Sequence, residues 1–227
     1  MRTWFRDRYL DVLGSIYIYN EHRGYTAIDD LLAAVKSRWP DDMDLIDRIE
    51  KHRADERKHY LMFRRWFERR GTMPLAVDSA FGHIDRFVEI MFGTKIDDLD
   101  KGKVVRDNRL FGRLCRVISL TEKRGYRQVE ILLRNSHVLS DKTLAKIFAI
   151  IEQDEPSHWQ PYDDWLKSNG IRNAKWWERA VDGFVHSELL FLKLPFLFLH
   201  PNLKRRATFA DADETDDSRV RPLVHAS

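Results

Sequence analysis

Apolar positions recur every three or four residues through four long stretches of the chain, the spacing of α-helices that each bury one face. The first stripe runs through Leu10, Leu13, Tyr17, Tyr25, Ile28, Leu32 and Val35, and the second through Leu45, Ile49, His59 with Tyr60, Phe63 and Phe67. The third comprises Phe111, Leu114, Ile118, Tyr126, Val129 and Leu133, and the fourth Leu144, Phe148, Ile151, His158, Tyr162 and Trp165. Trp39-Pro40-Asp41 separates the first two helices, and Val138-Leu139-Ser140 the last two, with Ser140 as the N-cap. The second helix ends at Gly71, the third starts near Val104, and the crossover between them carries a helix over 76–92. Two antiparallel hairpins joined by one long crossover predict an all-α chain, a four-helix bundle.

Gly170 reads as a C-cap, followed by an additional helix over 174–200. Its end, residues 189–199, is the most apolar run in the chain and too short to span a bilayer. It is expected to cover the bundle or form a homodimer interface. The sharper reading is a peripheral membrane contact that serves a lipophilic substrate. From Leu203 onward the charge-rich sequence, with Asp211, Asp213, Glu214, Asp216 and Asp217, reads as a mobile tail. The expected units are therefore a bundle over 1–170, an apolar helix over 171–202 and a tail over 203–227.

Polar residues interrupt the stripes, and they do so twice in the same way. Glu21-His22-Arg23-Gly24-Tyr25 returns as Glu122-Lys123-Arg124-Gly125-Tyr126. Asp55-Glu56-Arg57-Lys58-His59 returns as Asp154-Glu155-Pro156-Ser157-His158. Each Glu-x-x-His places both side chains on one helix face. The hairpin turns bring Glu21, Glu56, Glu122 and Glu155 to one level, with His59 and His158 beside them. Buried carboxylates are costly unless paired or metal-bound, and two divalent cations would neutralise four of them. Four carboxylates and two imidazoles are the ligand set of a dinuclear centre in a helical bundle. The competing reading is a buried salt-bridge network with Arg23 and Arg124 as its cations. Gly24 and Gly125 suggest either close helix approach or room beside the metals. Pro156 removes a helix hydrogen bond next to Glu155 and predicts a kink or π-bulge there.

Over roughly residues 3–168 this pattern resembles the ferritin-like di-iron carboxylate superfamily. The paired Asp-Glu-x-x-His motifs are similar to those of soluble bacterial monooxygenase hydroxylases, acyl-carrier-protein desaturases and related arylamine N-oxygenases. The resemblance implies a ferritin-like bundle holding two iron ions, with manganese or a mixed Mn/Fe pair as variants. Glu21, Glu56, His59, Glu122, Glu155 and His158 would be the ligands, with Glu56 and Glu155 bridging. It further implies that Asp55 holds His158 and Asp154 holds His59, since a metal-bound imidazole needs its second nitrogen oriented. Tyr17, one turn before Glu21, would be a donor beside the site or a radical site, although a core tyrosine is the better reading. The implied activity is that of a non-haem di-iron oxidase or hydroxylase, using dioxygen and an electron donor on a substrate no residue identifies. The alternatives are a rubrerythrin-like peroxidase, with Glu152 as an additional carboxylate, and an iron-storage protein.

Composition narrows the picture further. A chain of 227 residues with 43% hydrophobic content can bury one sizeable core. A single cysteine, Cys115, excludes a disulfide framework and a Cys-x-x-Cys iron site. Charged residues near the start interrupt any signal-like apolar run, so the cytoplasm is the expected compartment. A net charge of +3 argues against nucleic acid as a partner, and the basic stretch 48–70 reads as a solvated helix face. His83, Asp85 and Glu89 on the crossover are expected at the surface.

Overall fold

The computed structural model describes residues 2–200 and 202–209. The chain is all-α, and the described residues contain no strand. The long helices are α1 (Arg2–Arg38), α2 (Met43–Arg69) and α5 (Asn108–Leu132). A fourth column is made of α7 (Lys142–Asp154) and α8 (Pro156–Ser168). α1 packs along α2, α5 packs along α8, and α2 also contacts α7 and α8, forming a helical bundle. Pro40 ends the first helix, and Asp42 starts the second by accepting the Leu45 amide at 3.2 Å.

Two hydrophobic cores lie at different heights in the bundle. One gathers Val35, Leu45, Ile49, Phe111, Leu114 and Trp165, and the other Leu10, Phe63, Phe67, Leu144, Phe148 and Ile151. Each fully buried side chain of this size contributes about 1.5–3 kcal/mol. The glutamates of the repeated motif occupy the level between these cores.

Several boundaries differ from the sequence-based expectation. The crossover helix, α3 (His83–Phe92), starts at Gly82 rather than at 76. Residues 78–82 form turns instead, because the Asp78 side chain takes the Ala80 amide and its carbonyl takes the Phe81 amide. The third helix is preceded by a separate α4 (Lys101–Arg106), and Asp107 starts α5 by accepting two of its first amides. The cap of α7 is Asp141, which accepts the Leu144 amide at 2.9 Å. Ser140 closes the short α6 (Ser136–Leu139) instead.

At Pro156 the hydrogen-bond ladder breaks between α7 and α8, yet Glu155 keeps right-handed helical geometry, φ −48 and ψ −43. The His158 amide bonds the Glu155 carbonyl at 2.9 Å, a tightened turn that carries the column onward. The expected distortion is thus a broken ladder and not a π-bulge.

The additional C-terminal helix comes in three parts: α9 (Trp176–Glu188), a π-helical turn over Leu189–Lys193, and α10 (Leu194–Leu199). Pro195 cannot donate within a regular ladder and would crowd the preceding turn, and the wider turn before it accommodates that. Leu189 and Leu197 pack onto Val12, Ile16, Leu75 and Val77, so one side of this region covers the bundle. Phe191, Leu192, Phe196 and Leu199 are exposed. Arg8 holds the end of α10 by donating to the carbonyls of Leu197, Phe198 and His200. No helix of the described residues is long and apolar enough to cross a membrane.

The start of the segment read as a tail is pinned. Ala76 donates its amide to Lys204, Arg206 donates to Pro74, and Arg205 pairs with Asp11. The acidic residues 211–217 lie outside the described residues.

Candidate metal centre

Glu21 on α1, Glu56 and His59 on α2, Glu122 on α5 and His158 on α8 converge between the two cores. Two groups of donor atoms form there, each within 4.8 Å of one another: Glu21, Glu56 and His59 in one, and His52, Glu56, Glu122 and His158 in the other. Glu56 belongs to both. Glu155, at the α7–α8 junction, stands beside the second group, its Oε2 3.7 Å from His158 Nδ1. The structure therefore brings all six residues of the repeated motif to one level.

His52 was not anticipated. It lies four residues before Glu56 and seven before His59, on the same face of α2, a spacing visible in the sequence. The corresponding place in the second half is Ile151, so a search for what repeats passes over it. Its Nε2 faces Glu56 Oε1 at 3.8 Å and Glu122 Oε1 at 3.9 Å. Its Nδ1 is 3.1 Å from the Tyr162 hydroxyl, and its ring stacks on His158 with centroids 4.3 Å apart.

The two aspartates of the motif reach across the bundle. Asp154 Oδ2 is 2.9 Å from His59 Nε2, a hydrogen bond that leaves His59 Nδ1 facing Glu21 Oε2 at 3.2 Å. Asp55 Oδ2 stands 3.6 Å from His158 Nε2, ion-pair range and too long for a hydrogen bond. His158 Nδ1 faces Glu56 Oε1 at 3.2 Å.

Two arginines of the motif, Arg23 and Arg124, point elsewhere. Arg23 pairs with Asp85 at 2.8 Å and with Asp97 at 2.6 Å, and Arg124 with Asp182 at 3.0 Å. They dock the outer helices α3 and α9, and among the described residues neither forms the ion pair with a glutamate of the motif that such a salt-bridge network requires, although the Arg124 charge still acts on Glu122. His83 and Asp85, expected at the surface, are buried in this outer layer, where His83 bonds Asp182 at 2.9 Å. Glu89 pairs with Arg86. Glu152 belongs to neither donor group. Tyr17 packs between Phe63 and Phe148, and its hydroxyl pKa is raised by burial and then by Glu21 and Glu155.

The electrostatics record the strain of this crowding. Burial and then Glu21 raise the Glu56 carboxyl above its usual range. Burial and then Glu56 push Glu122 up to about 7, and burial and then Glu122 lift Glu155 well above the usual range. Burial alone would lower His59, but its bonds to Asp154 and Glu21 raise it to about 9. His158 rises despite burial, through Asp55 and Glu56. His52 falls well below its ordinary value, through burial and then His158. Among the described residues, His52 Nε2, His158 Nδ1 and Nε2, and Glu155 Oε2 are buried without a hydrogen-bond partner. A cation at this level would satisfy His52 Nε2, His158 Nδ1 and Glu155 Oε2, so the donor set fits a metal pair.

The repeated glycines make room for carboxylates. A Cβ on Gly24 would lie 2.1 Å from Glu56 Oε2, and one on Gly125 would lie 3.4 Å from Glu155 Oε1. Alanine is the better helix former by about 1 kcal/mol. Gly24→Ala is therefore expected to leave the melting temperature of the metal-free protein unchanged or slightly raised. Displacement of Glu56 should meanwhile weaken metal binding by roughly tenfold or more, a loss comparable to that of a misplaced ligand support. Calorimetric metal titration of the variant checks this, and undiminished binding would assign Gly24 to helix packing alone.

Comparison with protein-family models, with curated proteins and with solved structures gives no match.

Proposed function

We propose that this chain is a ferritin-like dinuclear metal protein, a non-haem di-iron oxidase or hydroxylase that activates dioxygen. The observation that carries the reading is the orphaned donor set around Glu56: unpartnered imidazole and carboxylate atoms, facing one another in a buried layer, with Arg23 and Arg124 paired to aspartates outside it.

Glu21, His59 and Glu56 would hold one ion, and His52, His158, Glu122 and Glu56 the other, with Glu155 adjoining. Carboxylate and imidazole donors suit iron and manganese alike. The chemistry that such ions supply when bound is electron transfer to dioxygen, which no side chain of this chain performs by itself. The protein's own part is positional. Asp154 fixes His59 with Nδ1 turned inward, and Tyr162 stands at His52 Nδ1 and leaves Nε2 turned inward. Tyr17, Phe63, Phe148 and Ile151 form an apolar wall beside the layer that excludes water.

Protein purified without chelator and reconstituted anaerobically with ferrous iron is expected to hold two ions per chain and, once reduced, to consume oxygen. His52→Ala should retain the ion at His59 and weaken the other. One ion or none in the wild-type protein overturns the dinuclear assignment. Two ions with no oxygen uptake leave a metal site and overturn the oxidase.

A further inference from the structure

One ammonium group links the supports of both metal-type histidines. Lys58 Nζ lies 2.6 Å from Asp55 Oδ1 and 2.7 Å from Asp154 Oδ2. Asp154 bonds His59 at 2.9 Å, and Asp55 faces His158 at 3.6 Å. A chain of charged contacts runs from His158, at ion-pair distance, to Asp55 and on through Lys58 and Asp154 to His59, and so from α8 through α2 and α7 back to α2. The second half of the repeat has Ser157 where Lys58 stands, so a single cation serves both halves. A second lysine, Lys51, reaches Asp55 at 2.5 Å and Ser157 at 2.9 Å but not Asp154.

We infer that Lys58 is a positioning residue that couples the two metal positions, so that occupation of one prepares the other. The inference rests on the dinuclear reading above. Two carboxylates held against one ammonium repel each other once it is gone, and each would carry its imidazole away from the layer. With Lys58 in place, an ion at Glu21, Glu56 and His59 fixes His59 and hence Asp154. Asp154 in turn restrains Lys58 and Asp55, and the restraint ends at His158. The second ion then meets an imidazole already ordered, which is the condition for positive coupling between two sites.

Cobalt(II), whose visible bands report ligand number and type, serves as the probe on the full chain. The two positions carry different numbers of imidazoles, so their bands are separable. Wild-type protein is expected to take up two cobalt ions in one steep, cooperative step. Lys58→Met should still bind two, each about 10- to 100-fold more weakly, the range for losing a partner behind a metal ligand, and without cooperativity. Lys58→Arg should restore much of both. Lys51→Met, which removes a neighbouring cation that touches Asp55 but not Asp154, should affect only the His158 position.

The lysine side chain is 37% exposed, so methionine at this place should fold, and the metal-free melting temperature should stay within a few degrees of wild type. A purely structural lysine would instead lower that temperature and leave the cobalt isotherm unchanged. An unchanged isotherm in Lys58→Met, or weakening at one position only, overturns the coupling while leaving the dinuclear centre intact. Absence of cobalt binding in the wild-type protein overturns the dinuclear reading and this inference with it.

Discussion

Glu56→Gln is expected to stabilise the metal-free protein and, in the same molecule, to abolish its response to metal. Glu56 is the one carboxylate common to both donor groups, so its loss removes a ligand from each. In the metal-free state its ionised form is disfavoured, by burial and then by Glu21, and it in turn helps to push Glu122 up to about 7. A carboxyl whose folded pKa is raised stabilises the fold only while protonated, and the amide imitates that form at any pH. At pH 8 the variant should therefore melt a few degrees higher than wild type without metal, at about 2–4 °C per kcal/mol for a chain of this size. Added ferrous or manganous ion, which raises the wild-type transition, should leave the variant where it was. The opposite sign would identify a different role. If Glu56 were the acceptor of a buried salt bridge, the same substitution would cost about 3–5 kcal/mol and lower the melting temperature. Paired thermal melts of wild type and variant, each with and without metal, decide between the two.

The helical period and the repeat made the polar layer legible. Each glutamate interrupts an apolar stripe, and the two hairpins fix their common level. The cross-bundle pairing of Asp154 with His59 and of Asp55 with His158 was implied by the family resemblance; Asp154 does bond His59, whereas Asp55 stops at ion-pair distance from His158.

What the sequence hid depends on packing between elements far apart in the chain. His52 has no counterpart in the second half, so symmetry concealed it although its helical spacing was in view. Arg23 and Arg124 read as cations for the glutamates because they lie two residues further along the same helices. They turn instead to Asp85 on α3, Asp97 in the segment after it and Asp182 on α9, whose positions depend on how the outer layer packs against the bundle. The late start of α3 was written locally, in the turn chemistry of Asp78, and apolar periodicity outweighed it. The anchoring of 204–206 through the crossover around Leu75 needs partners more than a hundred residues away, which no local pattern announces.

Metal should raise the melting temperature of this protein most at alkaline pH, because in its absence protons carry out part of the neutralisation. Glu122 is pushed up to about 7 and His59 to about 9, and Glu56 and Glu155 are also raised. Every one of these groups holds a proton in the folded chain at a pH where the unfolded chain has released it. The stability they contribute is complete below the unfolded pKa values and is lost as pH rises through the folded ones. For Glu122 alone, the move from 4.5 to about 7 corresponds to about 3 kcal/mol. His52 and His83 act in the other sense, since both are lowered, His83 to about 3. Their contribution is complete above the unfolded histidine value of 6.5 and is lost only as pH falls below it. Asp55 and Asp154, lowered by their hydrogen bonds against the opposing effect of burial, lose theirs only in stronger acid. Between pH 6.5 and 9, then, the metal-free protein should lose stability steadily. Bound cations take the place of the protons and remove that slope. They also stabilise by RT ln(1+[L]/Kd), about 4 kcal/mol at a thousandfold excess over Kd, or roughly 8–16 °C. Protons compete for the same donor atoms, so the gap between metal-loaded and metal-free transitions should widen from pH 6 to pH 8. Anaerobic calorimetric melts across that range measure it directly. Equal melting temperatures with and without ferrous or manganous ion at pH 8 would remove the metal from this layer and leave four crowded glutamates that only protons neutralise.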